Sequence, residues 1–209
     1  DQRPDFRNLR IDLGAVRILP RVLSLLVGGD DTVLSGLTKL LEGRGYRVVG
    51  AHEIAPDLVA EPGLVAGPRV SAAARADARL ALKAARLIGT LDSGQAAVAV
   101  QSRVIALEGA EGTDAMVRRV AELRRAGRVK WSGRSGVLAK CSKPQQDIRV
   151  DMPAIGPDTV KVAAEVGLAG IVIEPGCVMI ADRAETIAAA EQTGTFILAD
   201  DGGHDPGGG

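Results

Sequence analysis

Apolar positions recur along the chain in two rhythms, one at helical spacing and one in short unbroken runs, and the two alternate from end to end. The longest apolar stretch, residues 16–27, is broken by Arg17, Pro20 and Arg21 and predicts a helix over 20–27. A second helix is predicted over 30–42, with Asp30 or Asp31 capping its first amides and Gly43 and Gly45 ending it. Residues 46–52 read as a short β-branched strand. Over 71–88 the spacing of Leu80, Ala84, Leu87 and Ile88 is helical, leaving Arg75, Arg79, Lys83 and Arg86 as a solvated basic stripe.

Two short apolar runs, 95–100 and 104–107, predict strands joined near Ser102 as a hairpin, although no Asn-Gly pair marks the turn. A helix over 114–126 follows, its core face drawn by Met116, Val117, Val120 and Leu123. Strands are predicted at 137–141, 170–174, 178–181 and 196–199, and helices at 159–166 and 183–192. Residues 127–136, with Arg128, Lys130, Ser132 and Arg134, read as a mobile basic loop, and the glycine-rich 201–209 as a disordered tail. This order predicts an α/β fold: a mixed β-sheet with helices packed on its faces, in a single main domain.

Composition narrows the function. With 26 Lys plus Arg against 26 Asp plus Glu, no overall field recruits nucleic acid. Four aromatic residues, Phe6, Tyr46, Trp131 and Phe196, are too few for a base-stacking platform. Cys141 and Cys177 give no disulfide framework and read as reduced thiols, which favours the cytoplasm. The 16–27 stretch is shorter than the roughly twenty apolar residues a membrane span needs; it is either a core helix or a surface helix that docks peripherally on a membrane.

The chemistry concentrates in two runs, residues 108–114 (EGAEGTD) and 140–151 (KCSKPQQDIRVD). Carboxylates beside Lys and Arg are what a Mg²⁺-assisted attack on a phosphate ester needs, because the metal takes oxygen ligands and the phosphate oxygens take cations. Thr113 either bonds a nucleotide or caps its own helix, and Asp114 in the first turn is favoured by the helix dipole with or without a ligand. If 149–151 is extended, Arg149 and Asp151 share a face, as catalytic partners or as a plain surface ion pair. Lys140 and Lys143 could neutralise a diphosphate or be solvated, and Gln145 could donate an amide hydrogen bond. Glu108 and Glu111 either complete a metal shell or are ordinary acids near a helix start, and they rank below Asp114 and Asp151. His52 is either a general base or a hydrogen-bonded structural residue. No Cys/His cluster suggests zinc, no G-x-x-x-x-G-K-[ST] loop suggests a nucleoside triphosphatase, and no G-x-S-x-G elbow is present.

The pattern E-x-x-E-G-T-D-A-M followed by L-A-K-x-x-K-P-x-Q-D-x-R-V-D-x-P resembles the UDP-2,3-diacylglucosamine pyrophosphatases of the LpxI type. Residues 3–6, 29–31, 50–53, 92–95 and 167–171 agree in order, so the resemblance covers nearly the whole chain up to Asp200. It implies hydrolysis of the diphosphate of UDP-2,3-diacylglucosamine, a membrane-held lipid, to UMP and 2,3-diacylglucosamine 1-phosphate in lipid A assembly. It further implies Asp151 and Asp114 as catalytic residues that share Mg²⁺ with Glu111, and Thr113, Lys140, Lys143, Gln145, Arg149 and Gln95 as substrate-binding residues. Family members begin with a smaller glycine-rich domain; residues 1–14 are expected to be a linker remnant after it, and 15–200 the C-terminal catalytic domain. The alternatives are an inactive truncated remnant, a nucleotide- or acyl-sugar-binding module without chemistry, and a scaffold. A homodimer and peripheral contact with the inner leaflet of the inner membrane are compatible with the sequence.

Overall fold

The computed structural model describes residues 30–203, which belong to two compact units, Asp1–Val48 and Val49–Gly209. The described part of the first unit is helix α1 (Asp30–Glu42) and the turn that ends it, where the Gly43 amide donates to the Lys39 carbonyl at 2.9 Å. Asp30 and Asp31 lie inside its first turn rather than ahead of it as caps. The predicted helix over 20–27, the linker 1–14 and residues 204–209 of the predicted tail fall outside the described residues.

The strand predicted over 46–52 is not formed. Residues 46–50 are irregular, and the chain then turns into helix α2 (Ala51–Ile54) and a 3₁₀ turn, Pro56–Leu58. The Glu53 carboxylate accepts the Gly50 amide at 2.8 Å, so the segment closes on itself instead of offering that group to a sheet.

The rest of the second unit is a three-layer α/β arrangement. After β1 (Gly63–Ala66) come α3 (Ala72–Gly89), the hairpin β2 (Ala96–Val100) and β3 (Arg103–Leu107), α4 (Thr113–Arg125) and β4 (Val137–Lys140). Then follow β5 (Ala154–Ile155), α5 (Pro157–Val166), β6 (Gly170–Ile173), β7 (Met179–Ile180), α6 (Arg183–Thr193) and β8 (Phe196–Ala199). Six strands form one sheet in the order β1-β8-β6-β4-β2-β3, and β5 and β7 make a separate two-stranded parallel pair. Within the large sheet β4, β6 and β8 are parallel, whereas β1, β2 and β3 join antiparallel to their neighbours. The mixed sheet is thus as predicted, with β1 and β5 as additions. Both are short and sit among prolines and glycines, which read in sequence as turn punctuation.

Alternation along the strands divides the core. Ala97, Ala99, Val137 and Ala139 face Ala74, Ala78, Ala81 and Ala85 of α3, and this small-on-small surface lets one helix lie close against the sheet. On the opposite face, Val98, Leu138, Ile171 and Ile197 pack with Met116 and Val117 of α4, Val160 of α5 and Ala190 of α6.

Residues 127–136 are anchored rather than mobile. The last carbonyls of a helix lack intrahelical partners, and those around the end of α5 draw in donors from this segment. Trp131 Nε1 donates to Gly167 O at 3.1 Å, and Arg134 donates to Leu168 O through Nε at 3.0 Å.

A candidate active site at the carboxyl ends of the parallel strands

Strands β4, β6 and β8 end together, and the antiparallel β2 starts beside the end of β4, with Ala96 opposite Lys140. Open α/β sheets bind ligands at this edge. The start of α4 is delivered there because β3 pairs with β2 so that Leu107 lies opposite Ala97.

The first acidic run is organised by Glu108. Its buried carboxylate accepts the Gln95 amide at 2.8 Å and the Thr113 hydroxyl at 2.7 Å. Thr113 is therefore not the cap of its helix. That position belongs to Gly112, whose φ of +80° a residue with a side chain would adopt only under strain. Its proton being given to Glu108, the Thr113 oxygen is left to a ligand only as an acceptor. Gly94 serves a second purpose: a Cβ there would lie 2.5 Å from the Glu108 carbonyl oxygen, so the close approach of the two chains requires glycine.

Lys140, the last residue of β4, points into this cluster. Burial pushes its ammonium below the usual lysine range, and the negative charges of Glu108 and Asp114 offset part of that shift. Asp114 is half-buried in the first turn of α4. Gln95 Oε1 is buried without a hydrogen-bond partner, an acceptor in a place where polar atoms are normally paired. Lys140, Asp114, Thr113 and Gln95 thus share one corner, with Glu108 at its centre.

Glu111 is not part of it. It is exposed and bound to Arg119 at 2.8 Å, and its carboxyl sits below the usual range through its own backbone amide first and Arg119 second. Among the described residues no three His, Cys, Asp or Glu side chains come together as a metal shell.

The second run is a stitched turn instead of a strand. The amides of Val150 and Asp151 donate to the Asp147 carbonyl at 3.1 and 3.0 Å, which removes the shared face proposed for Arg149 and Asp151. Arg149 pairs with Asp147, its Nη2 lying 2.7 Å from Oδ2, and holds that carboxyl below the usual range. Asp151 accepts from Gln146 Nε2 at 2.7 Å, and Gln146 Oε1 accepts the Lys143 amide at 3.1 Å. Lys143 is bound to Asp92 at 2.7 Å, and Gln145 donates to the Gly89 carbonyl at 3.1 Å. These bonds pin the turn against the end of α3. His52 borders it: a Cβ on Gly50 would touch both the His52 ring and, at 3.2 Å, the Arg149 Cα, and His52 Nδ1 is buried without a partner.

A third group, in which Arg86 is the residue read in sequence as solvated surface, also belongs to this edge. Glu174 follows β6 and accepts Arg86 Nη2 at 2.7 Å, the Ser142 hydroxyl at 2.9 Å and the Ser142 amide at 3.1 Å. Burial alone would raise its carboxyl, but the bonds from Arg86 and Ser142 outweigh it and the net shift is downward. The detectable signal for Glu174 was its place directly after a buried run. Both cysteines are free; burial pushes the Cys141 thiol up to about 12, with Glu174 adding to the effect, so it is no nucleophile at neutral pH.

The LpxI C-terminal domain model matches residues 61–198, and the LpxI N-terminal domain model matches residues 2–58, a stretch that the sequence reading divides between a linker and the start of the catalytic domain. The UDP-2,3-diacylglucosamine pyrophosphatase LpxI of Caulobacter vibrioides is 43% identical over 199 residues, spanning 95% of this chain and 71% of the relative. On both counts, the chain belongs to the LpxI family.

Proposed function

We propose that the protein hydrolyses the diphosphate bond of UDP-2,3-diacylglucosamine, releasing UMP and 2,3-diacylglucosamine 1-phosphate for lipid A assembly. The observation that carries this reading is the Lys140 corner, a half-buried lysine beside the carboxylates of Glu108 and Asp114 and the amides that open α4, in a chain 43% identical to a pyrophosphatase of that name. The free amides of α4 and the Lys140 ammonium receive the phosphate oxygens and stabilise charge on the departing phosphate. Asp151 orients the attacking water and takes its proton, its carboxylate aimed by Gln146. Lys143 and Arg149 shape the turn that presents Asp151, through Asp92 and Asp147.

No three-ligand shell exists among the described residues, and Asp114 and Asp151 are the carboxylates that would hold a Mg²⁺ bound together with the diphosphate. When bound it neutralises phosphate charge. A cytoplasmic enzyme working at the inner leaflet fits a diacylated substrate, and no described helix is long and apolar enough to cross a membrane. The test is Asp151→Ala with circular dichroism as a control for folding. Turnover falling at least a hundredfold in a folded variant is expected; unchanged turnover removes Asp151 from the chemistry.

A further inference from the structure

The far end of strand β2 carries a second cleft, about 13 Å of strand away from Lys140 at the usual rise per residue. It has a volume of about 320 Å³. Its floor is apolar: Val100 and Trp131 are buried, and Ile105 and Val129 are packed against the core. The Trp131 ring is fixed in place by its bond to Gly167 O and by the Arg124 guanidinium stacked 4.5 Å from its centroid. The rim is cationic. Arg103, Arg128 and Lys130 all line the cleft and are exposed, and no acidic residue lines it.

Three cations at one opening repel one another, and a protein ordinarily relieves this by placing carboxylates between them. Here it does not. Among the described residues, none of the three rim cations makes an ion pair or a side-chain hydrogen bond. The hairpin that carries Arg103 is also held in an unfavourable backbone conformation: Gln101 and Ser102 have φ of +51° and +61°, and the buried Asp77 carboxylate accepts both their amides, at 3.0 and 2.7 Å. That brace holds the turn from which β3 starts at Arg103, which lines the cleft together with Arg128 and Lys130.

We infer that this cleft binds a phosphate-bearing anion of headgroup size, its charge on Arg103, Arg128 and Lys130 and its apolar part on Trp131. The ligand is either a free phosphorylated metabolite or the headgroup of an anionic lipid, and the site is separate from the Lys140 corner.

Trp131 is the only tryptophan in the chain, so its emission reports on this cleft directly. The full chain is titrated with inorganic phosphate, with pyrophosphate, and with vesicles of phosphatidylglycerol or of phosphatidylcholine. A saturable emission change with a soluble anion assigns a free phosphate ligand, and one with phosphatidylglycerol vesicles alone assigns a lipid headgroup. In either case R103Q/R128Q/K130Q weakens the response at least tenfold, while K140Q, altered on β4 beside the other end of β2, leaves it intact. No saturable change with any of these probes, an equal response to phosphatidylcholine, or an undiminished response in the triple variant overturns the assignment.

Discussion

Lys140 is subject to opposing demands, since burial favours the neutral amine and the carboxylates of Glu108 and Asp114 favour the ammonium. That balance explains why Glu108 is buried with both oxygens bonded instead of exposed like Glu111. Replacing Lys140 by Gln keeps the size of the side chain and removes the charge. Turnover should fall roughly a hundredfold, the loss typical of one missing transition-state donor, while thermal unfolding changes little; a variant with full activity would remove Lys140 from the phosphate site. Cys141, whose thiol is pushed up to about 12 by burial, should resist iodoacetamide at pH 8 until the protein is denatured. Mass mapping that finds it labelled at the rate of an unfolded thiol would contradict its placement. At this scale the sequence was informative about which runs matter and less so about which acid does what. Glu108 and Glu111 flank the same two small residues, and only the pairing of β2 with β3 turns one inward and the other toward Arg119. In the same way Asp147, two residues before Arg149, takes the guanidinium that the extended reading gave to Asp151.

Among elements, the β2–β3 hairpin and its two ends bear the most on function. Its turn has no Asn-Gly pair, and the chain compensates with Asp77, a carboxylate on α3 that is 3% exposed and bonded to both turn amides. Asp77→Ala removes two charge-assisted bonds, but the freed amides belong to exposed residues and water can replace the acceptor, so a loss of about 1–3 kcal/mol is expected. Denaturant unfolding measures it, and an unchanged midpoint would show that the turn needs no brace. At the other end, Gly94→Ala forces a Cβ to within 2.5 Å of the Glu108 carbonyl oxygen. A destabilisation of about 1–3 kcal/mol, typical of overpacking, should accompany a loss of turnover, because the backbone that moves carries Glu108. The strong elements were legible: α3, α4 and α6 lie within one or two residues of their predicted bounds, as their 3.6-residue periodicity allows. The strand expected at 46–52 failed because Val48 and Val49 signalled β propensity while Gly50 and Glu53 were already committed to a local turn.

For the whole molecule, the edge where β4, β6 and β8 end carries Glu108 and Glu174, and stability should respond to acid there. Glu174 titrates below the ordinary glutamate range in the folded protein, so its contribution is full above its unfolded pKa and is lost as pH falls through the lower folded value. Glu174→Gln should accordingly lower stability at neutral pH and flatten the acid limb of a stability–pH profile; a profile parallel to that of the parent protein would show that Glu174 is not differentially bound. The α/β class with a mixed sheet could be read from alternating rhythms alone, because each rhythm reports one buried face. The convergence of residues 95, 108, 113, 114 and 140 could not, since it depends on strand order, which periodicity does not encode. Most direct is an assay of UMP release from UDP-2,3-diacylglucosamine with Mg²⁺ by this protein, alongside Asp151→Asn and Lys140→Gln. The account predicts UMP and 2,3-diacylglucosamine 1-phosphate in equal amounts from the parent protein, and at least a hundredfold less from either folded variant. Folded protein that releases no UMP, or variants that both turn over at the parent rate, would contradict it.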